Sequence, residues 1–361
     1  MTASFLAAGI QLWWACRRDA AWIRLPKNQE LPKSVSIVVC LRNEAGRVAR
    51  LAEALKLALN CAESQGVTVD VMAVDDGSQD ETWSALGHIC KADRRWHRCQ
   101  LSRSSPGKRD ALHLGVASTQ GEVILVIDAD CTPVHDDWIA CMTRGALSEW
   151  DVNVGISLPE PPTSGGVIPW LQLTEAERLA QRAVGAILAG APYLGFGRNM
   201  AWTRDIWSET GGAPRHHEVP SGDDDLWLQH AARSGARVQA CVHPHGQTRS
   251  QWPQTWAGWR RQKTRHFTAS PHYPFKTLAL LALPSASWLM LAIAVVHNPS
   301  VTSLGCLALS VTARTLTFGL FLHHTGKTMW GAWRLLLEPW VSLFRTWAWW
   351  KGQTSESIPW K

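Results

Sequence analysis

The chain has 361 residues, enough for one large domain or two ordinary ones, and 46% hydrophobic with 18% charged residues excludes wholesale disorder. Its 36 Lys+Arg against 30 Asp+Glu leave a net charge of +6, too mild over this length to signal nucleic-acid binding, so no nucleic-acid partner is expected. A mean hydropathy of −0.11 excludes a protein embedded in lipid throughout, but not one with membrane-bound ends.

The first element, Ala3 to Cys16, is apolar except for Gln11 and stops at Arg17-Arg18. It is short for a span, and neither a basic stretch before it nor a cleavage site after it marks a signal peptide. Residues 1–18 therefore read as a membrane anchor or an interfacial helix, with both open.

From Pro32 to about Ser270 strands and helices alternate, which predicts an α/β fold with a mostly parallel sheet and helices on both faces. Val35–Leu41, Val69–Val74 and Glu122–Ile127 are β-branched runs; helical stretches near 44–62, 80–92, 107–118 and 136–149 separate them. Ser78-Gln-Asp-Glu81 has the form of a capping box opening the second helix. The nine cysteines show no CxxC or CxxH spacing and read as buried thiols, neither a disulfide framework nor a zinc site.

Each strand ends in polar residues. The first runs into Arg42-Asn43-Glu44, the second into Asp75-Asp76-Gly77-Ser78, the third into Asp128-Ala129-Asp130. In an open parallel sheet these ends share one edge, where ligands bind. One DDGS is an ordinary turn, but three polar clusters at successive strand ends converge on one crevice. Asp128 and Asp130 would share a face if the strand continued, and like charges so placed call for a hard divalent cation, Mg²⁺ or Mn²⁺ with a diphosphate. Gly107-Lys108-Arg109 stands at a helix N-terminus, a suitable place for a phosphate.

Further on come the glycine-bearing loop Gly195–Ala201 and then Ser221-Gly222-Asp223-Asp224-Asp225, which opens a helix. Acidic residues are ordinary at a helix start, yet three in a row exceed what a cap needs. Trp256–Phe267 is a basic, aromatic helix, consistent with interfacial anchoring.

Leu278 to Val296 holds 19 residues without a charge, and Val301 to Leu322 carries only Arg314. These lengths span a bilayer core, and the short turn between them makes a hairpin at 278–322. Basic residues before the hairpin (Arg260, Arg261, Lys263, Arg265, Lys276) and an uncharged turn place the preceding domain in the cytoplasm, at the inner membrane. Across Met329–Trp350, Arg334, Glu338 and Arg345 share a narrow helical face, Pro339 predicts a kink, and the pattern fits an interfacial helix. The 22 tryptophans, many in the last third, suit the water–lipid boundary. The expected domains are thus 1–18, 32–275, membrane helices over 276–350 and a tail at 351–361.

These residues, in this order, resemble the membrane-anchored, inverting family 2 glycosyltransferases of the processive-synthase-like group, with a GT-A nucleotide-sugar-binding fold over residues 32–275. The resemblance rests on VSIVVCLRNE at the first strand, Asp75–Ser78, Gly107-Lys108, Asp128–Asp130, Gly197–Ala201, Gly222-Asp223 and Gln262–His266. It implies a hexosyltransferase-type enzyme that binds its donor through Asn43, Glu44, Asp75, Asp76, Lys108, Asp128, Gln262, Arg265 and His266. It implies a divalent metal, Mg²⁺ or Mn²⁺, on Asp130 and Asp128, and Asp223 as the catalytic base with Asp224 in reserve. The partners it implies are a nucleotide-sugar donor, a lipid-linked or saccharide acceptor, and the membrane. Cys40 stands where the family often has Pro, Gly222 where it has Glu, and His266 where it has Trp; the last favours single or short-chain addition. A nucleotidyltransferase on the same edge, or a non-catalytic membrane protein that kept the fold, are the competing readings.

Overall fold

The computed structural model describes residues 2–14, 30–101, 107–160, 167–213, 222, 224–251, 253 and 255–354. Three strands form where β-branched runs occur: β1 (Ser34–Leu41), β2 (Thr68–Asp75) and, after the short β3 (Trp96–Gln100), β4 (Val123–Ile127). β1 lies between β2 and β4, parallel to both, and β2 pairs parallel with β3. Alternate side chains of β1 serve opposite faces. Ile37, Val39 and Leu41 join the core under α2 (Ala45–Ser64) and α3 (Thr82–Ala92), while Val38 and Cys40 join the core under α4 (Lys108–Ala117).

Beyond β4 the parallel pattern breaks. With β6 (Val152–Gly155), β8 (Asn199–Thr203) and β9 (Val238–Cys241), the seven-stranded order is β3-β2-β1-β4-β8-β6-β9, and β8 runs antiparallel to both neighbours. A small second sheet sets β10 (Thr248–Ser250) between β5 (Cys131–Pro133) and β7 (Ser157–Pro159). Part of the tryptophan excess serves this core: Trp202, Trp207 of α7 (Arg204–Glu209) and Trp227 form a three-ring cluster with centroids 4.7–5.3 Å apart.

Two local expectations are corrected. No capping box forms at Ser78, whose hydroxyl bonds Asp75 instead; Asp80 accepts from Thr82 N at 3.0 Å, and α3 starts at Thr82. The helix expected over 136–149 is only α5 (Trp138–Thr143), because Gly145 and Leu147 adopt left-handed φ of 77° and 69°.

Helices α10 (Phe275–His297) and α11 (Val301–His324) are long and apolar enough to cross a membrane. The N-terminal α1 (Thr2–Trp14) packs against both. Its Gln11 donates to Pro284 O at 2.8 Å and accepts from Arg314 at 2.5 Å. The far half of α11 leaves the hairpin and enters the domain: Phe318, Phe321 and Leu322 share the core of Val152 and Met200. Pro339 does not kink a continuous helix. A 3₁₀ segment, Met329–Leu337, gives way to α12 (Glu338–Thr354), and the proline falls in the first turn, where its missing N–H costs nothing.

The polar face of this C-terminal region turns inward. Helix α6 (Val167–Leu188) buries Glu177 and Arg178, which require partners. Arg334 and Lys327 pair with Glu177, while Glu338 meets Arg178, Arg182 and Arg314. Trp330, Leu336 and Trp340 are left on the outside, each more than 60% exposed.

Candidate active site

The carboxyl ends of β1, β2 and β4 lie side by side, as the parallel register requires. At β1, Asn43 takes a left-handed φ of 54°; its N–H donates to Ser78 Oγ and its Oδ1 accepts from Gln79 N, both at 2.9 Å. Glu44 donates its N–H to Thr82 at 2.8 Å and pairs its carboxylate with Arg47 at 2.5 Å. Both residues thereby lock the loop after β2 to the start of α2. Asp75 and Asp76 are fully buried, and Asp75 accepts from Ser78 and, at 2.7 Å, from Gln100.

β4 stops at Ile127, so Asp128 and Asp130 do not continue a strand. They lie in a turn closed by Cys131 N to Asp128 O at 3.0 Å. Lys108, in the first turn of α4, places Nζ 2.8 Å from Asp128 Oδ1. Burial and the neighbouring Asp128 push the Asp130 carboxyl above its ordinary range, against the pull of Arg198 and Arg47. Among the described residues no group of three or more His, Cys, Asp or Glu is placed to hold a metal. Two carboxylates in one turn still suit Mg²⁺ or Mn²⁺, which bind through one or two carboxylates together with substrate phosphates and water.

A second group of cations lies on α9 (Trp256–His266). Lys263 is buried in an ion pair with Glu175 of α6 at 2.5 Å, which fixes the helix against the domain. Burial, then the charges of Arg265, Lys263, Arg198 and Lys108, push the His266 imidazole well below its ordinary value. Lys108 and His266 are thus within electrostatic reach of one another. Arg265 makes no ion pair among the described residues, and Gln262 is half-buried on the same helix.

Asp223 lies outside the described residues. Asp224, the reserve choice, caps α8 (Asp225–Arg233), accepting from Asp225 N at 2.9 Å and from Gly197 N at 2.8 Å. Asp225 accepts from Gly195 N at 2.9 Å and from the Tyr273 hydroxyl at 2.6 Å. Both aspartates tie the helix start to the glycine loop. Gly222 sits at φ 94°, and a Cβ there would meet Ala269 Cβ at 2.8 Å, which leaves no room for the family's glutamate side chain.

Three contributors had no role assigned from the sequence, although two of them lie in the glycine-bearing loop. Asn199 is fully buried, donating to Ile156 O and Gly246 O and accepting from Trp138. Glu175 anchors α9, and Arg198 stands immediately before β8. A polar residue inside a glycine loop was the available signal for Asn199; the other two depend on contacts far apart in sequence.

A sheet edge of polar strand ends, an acidic turn and a cationic helix within electrostatic reach make up the candidate site. Residues 36–200 match the family model described as "Glycosyl transferase family 2". Over that region, somewhat less than half of its length, the chain is similar to this family, and its fold is of the GT-A type. Two curated relatives, the beta-monoglucosyldiacylglycerol synthases of Trichormus variabilis and Nostoc sp., are each 34% identical over 103 residues, covering 28% of this chain and 21% of theirs. Glycosyltransferase AglE of Haloferax volcanii is 22% identical over 209 residues, covering 56% of this chain and 62% of its own. The chain therefore spans about a fifth of the length of the first two relatives. The mannosyltransferase PcManGT from Pyrobaculum calidifontis, solved with GDP-Man and Mn²⁺, superposes with a TM-score of 0.58 at 19% identity over 96% of both chains, a likeness of fold.

Proposed function

We propose that the chain is an inverting, metal-dependent transferase that moves a sugar from a nucleotide-sugar donor to a membrane-associated acceptor, lipid-linked or polysaccharide. The observation that carries this reading is the gathering at one sheet edge of Lys108, 2.8 Å from Asp128, with Asp130 beside it, and with His266 of the cationic helix α9 within electrostatic reach of Lys108. Asp75 holds the nucleoside at the buried end of β2. Lys108 and Arg265 offset the charge that grows on the departing diphosphate. Asp128 and Asp130 would hold Mg²⁺ or Mn²⁺, which when bound adds Lewis-acid stabilisation of that charge; the Mn²⁺ and GDP-Man of the mannosyltransferase neighbour support the choice.

Asp223 takes the proton from the acceptor hydroxyl as it attacks the anomeric carbon. Its neighbours Asp224 and Asp225 are committed to the glycine loop, which supports this choice. The two apolar helices and the names of the first two relatives, which make a glycosyl-diacylglycerol, favour a lipid acceptor. The catalytic domain, residues 32–275, then faces the cytoplasm at the inner membrane, with residues 276–350 in or on the bilayer.

A thermal-shift panel of nucleotide-sugars with Mn²⁺ or Mg²⁺ tests this, since a ligand that binds only the folded state raises its apparent stability. Stabilisation by one donor, followed by release of a nucleoside diphosphate with acceptor, supports sugar transfer. Release of pyrophosphate in its place would establish a nucleotidyltransferase.

A further inference from the structure

The loop from Gly197 to Asn199 touches three parts of the site. Gly197 N–H bonds Asp224 at 2.8 Å, and Asn199 is bonded to Ile156, Gly246 and Trp138 at 2.8–3.0 Å. These bonds hold the backbone on either side of Arg198. β8 runs antiparallel to β4 with Ile127 opposite Asn199 as the last pair of the ladder, so Arg198 and Asp128 both lie one residue beyond that pair, at the same end of the two strands.

The guanidinium of Arg198 is half-buried and poorly used. Its one hydrogen bond is from Nη2 to Ser157 O at 3.4 Å, and it makes no ion pair among the described residues. An arginine has five N–H donors in a rigid fork that matches phosphate oxygens. It lies within electrostatic reach of Asp130 and of His266 and Lys263.

The sheet order gives the end of the donor that it meets. Neighbouring strands are roughly 4.8 Å apart. A donor with its nucleoside at β2 and its diphosphate at β4 reaches β8 last, in the order β2-β1-β4-β8. The part at β8 is the distal phosphate and the sugar attached to it. Through Gly197 the same loop adjoins the acidic start of α8, where the acceptor is to be activated.

We propose that Arg198 binds the distal phosphate of the donor, the one that bears the sugar, as a third cation beside Lys108 and Arg265. The proposal rests on the nucleotide-sugar reading above. The geometry makes Arg198 a discriminator between nucleoside diphosphates and monophosphates, since a monophosphate lacks the group that it grips.

The test is calorimetric binding of UDP, GDP, UMP and GMP, with Mn²⁺, to the full-length protein in detergent. Wild type should bind one diphosphate more tightly than its monophosphate. Arg198→Gln should lose about tenfold or more on the diphosphate, the size of one charge-assisted hydrogen bond, and less than about twofold on the monophosphate. Arg198→Lys, which keeps the charge without the fork, should fall between and carries the test if the Gln variant is not recovered folded. A diphosphate preference unchanged in the folded variants, or an equal loss on both nucleotides, overturns the assignment. If wild type binds none of the four nucleotides, the donor reading falls, and this assignment with it.

Discussion

Glu338, the first residue of α12, sits 2.5 Å from Arg314, the single charge of α11, and the same carboxylate oxygen reaches Arg182 of the catalytic domain at 2.7 Å. One buried carboxylate thus joins a membrane-type helix, the C-terminal helix and the domain. Replacing it leaves Arg178, Arg182 and Arg314 crowded without compensation. Glu338→Gln should cost about 3–5 kcal/mol of stability, the usual penalty for breaking a buried pair from one side. Unfolding of the detergent-solubilised variant measures it; a stability equal to wild type contradicts the network.

Asp130→Asn removes charge where a cation is to be neutralised. Donor binding by this variant should no longer respond to Mn²⁺ or Mg²⁺ in titrations. Metal dependence equal to wild type would remove Asp130 from the site.

Asp223→Asn is nearly isosteric and cannot accept a proton. Donor binding should survive while transfer falls by roughly 10²–10⁴-fold, the ordinary worth of a general base. Asp224→Asn should act chiefly on folding, through the bond to Gly197. If Asp224→Asn abolishes turnover in a normally folded protein and Asp223→Asn does not, the base is Asp224.

His266 contributes a definite acid sensitivity. Its folded value lies well below the ordinary 6.5, so below about pH 6.5 the unfolded chain binds more protons than the folded one. Stability contributed by the neutral imidazole is therefore lost as pH falls through that value. In denaturation series between pH 7 and pH 5, His266→Gln should show a shallower decline than wild type; parallel declines would refute the assignment.

The hairpin is tested by labelling. A cysteine at Asn298, in a cysteine-free background, should react with an impermeant reagent from outside the cell, and one at Ser64 should not. The opposite pattern reverses the orientation.

How much of this was legible in the sequence follows the range of the contacts involved. β1, β2 and β4 announce themselves because β-branched runs buried on both faces have few other uses. β3, β6, β8 and β9 are four or five residues long and include polar positions, so only their partners make them strands. The convergence of Asp75, Asp128 and Lys108 could be read because parallel strands bring their carboxyl ends to one edge. Arg198 could not, because its place depends on the antiparallel insertion of β8 between β4 and β6. The capping box failed for a local reason: the Ser78 hydroxyl had a nearer acceptor in Asp75. The charged stripe around Glu338 was visible as a pattern, but which way it faced depended on the buried charges of α6.

The burial of Phe318, Phe321 and Leu322 in the core of the domain changes what counts as its boundary. A fragment ending near Pro274 would keep every residue assigned to donor and metal, yet would open an apolar hole beside β6. It would also strip Glu177 of Lys327 and Arg334, and Arg178 of Glu338. The hairpin is therefore no detachable tether. Its returning half is a structural wall of the catalytic unit, and solubilising this protein by deletion would remove part of its own core.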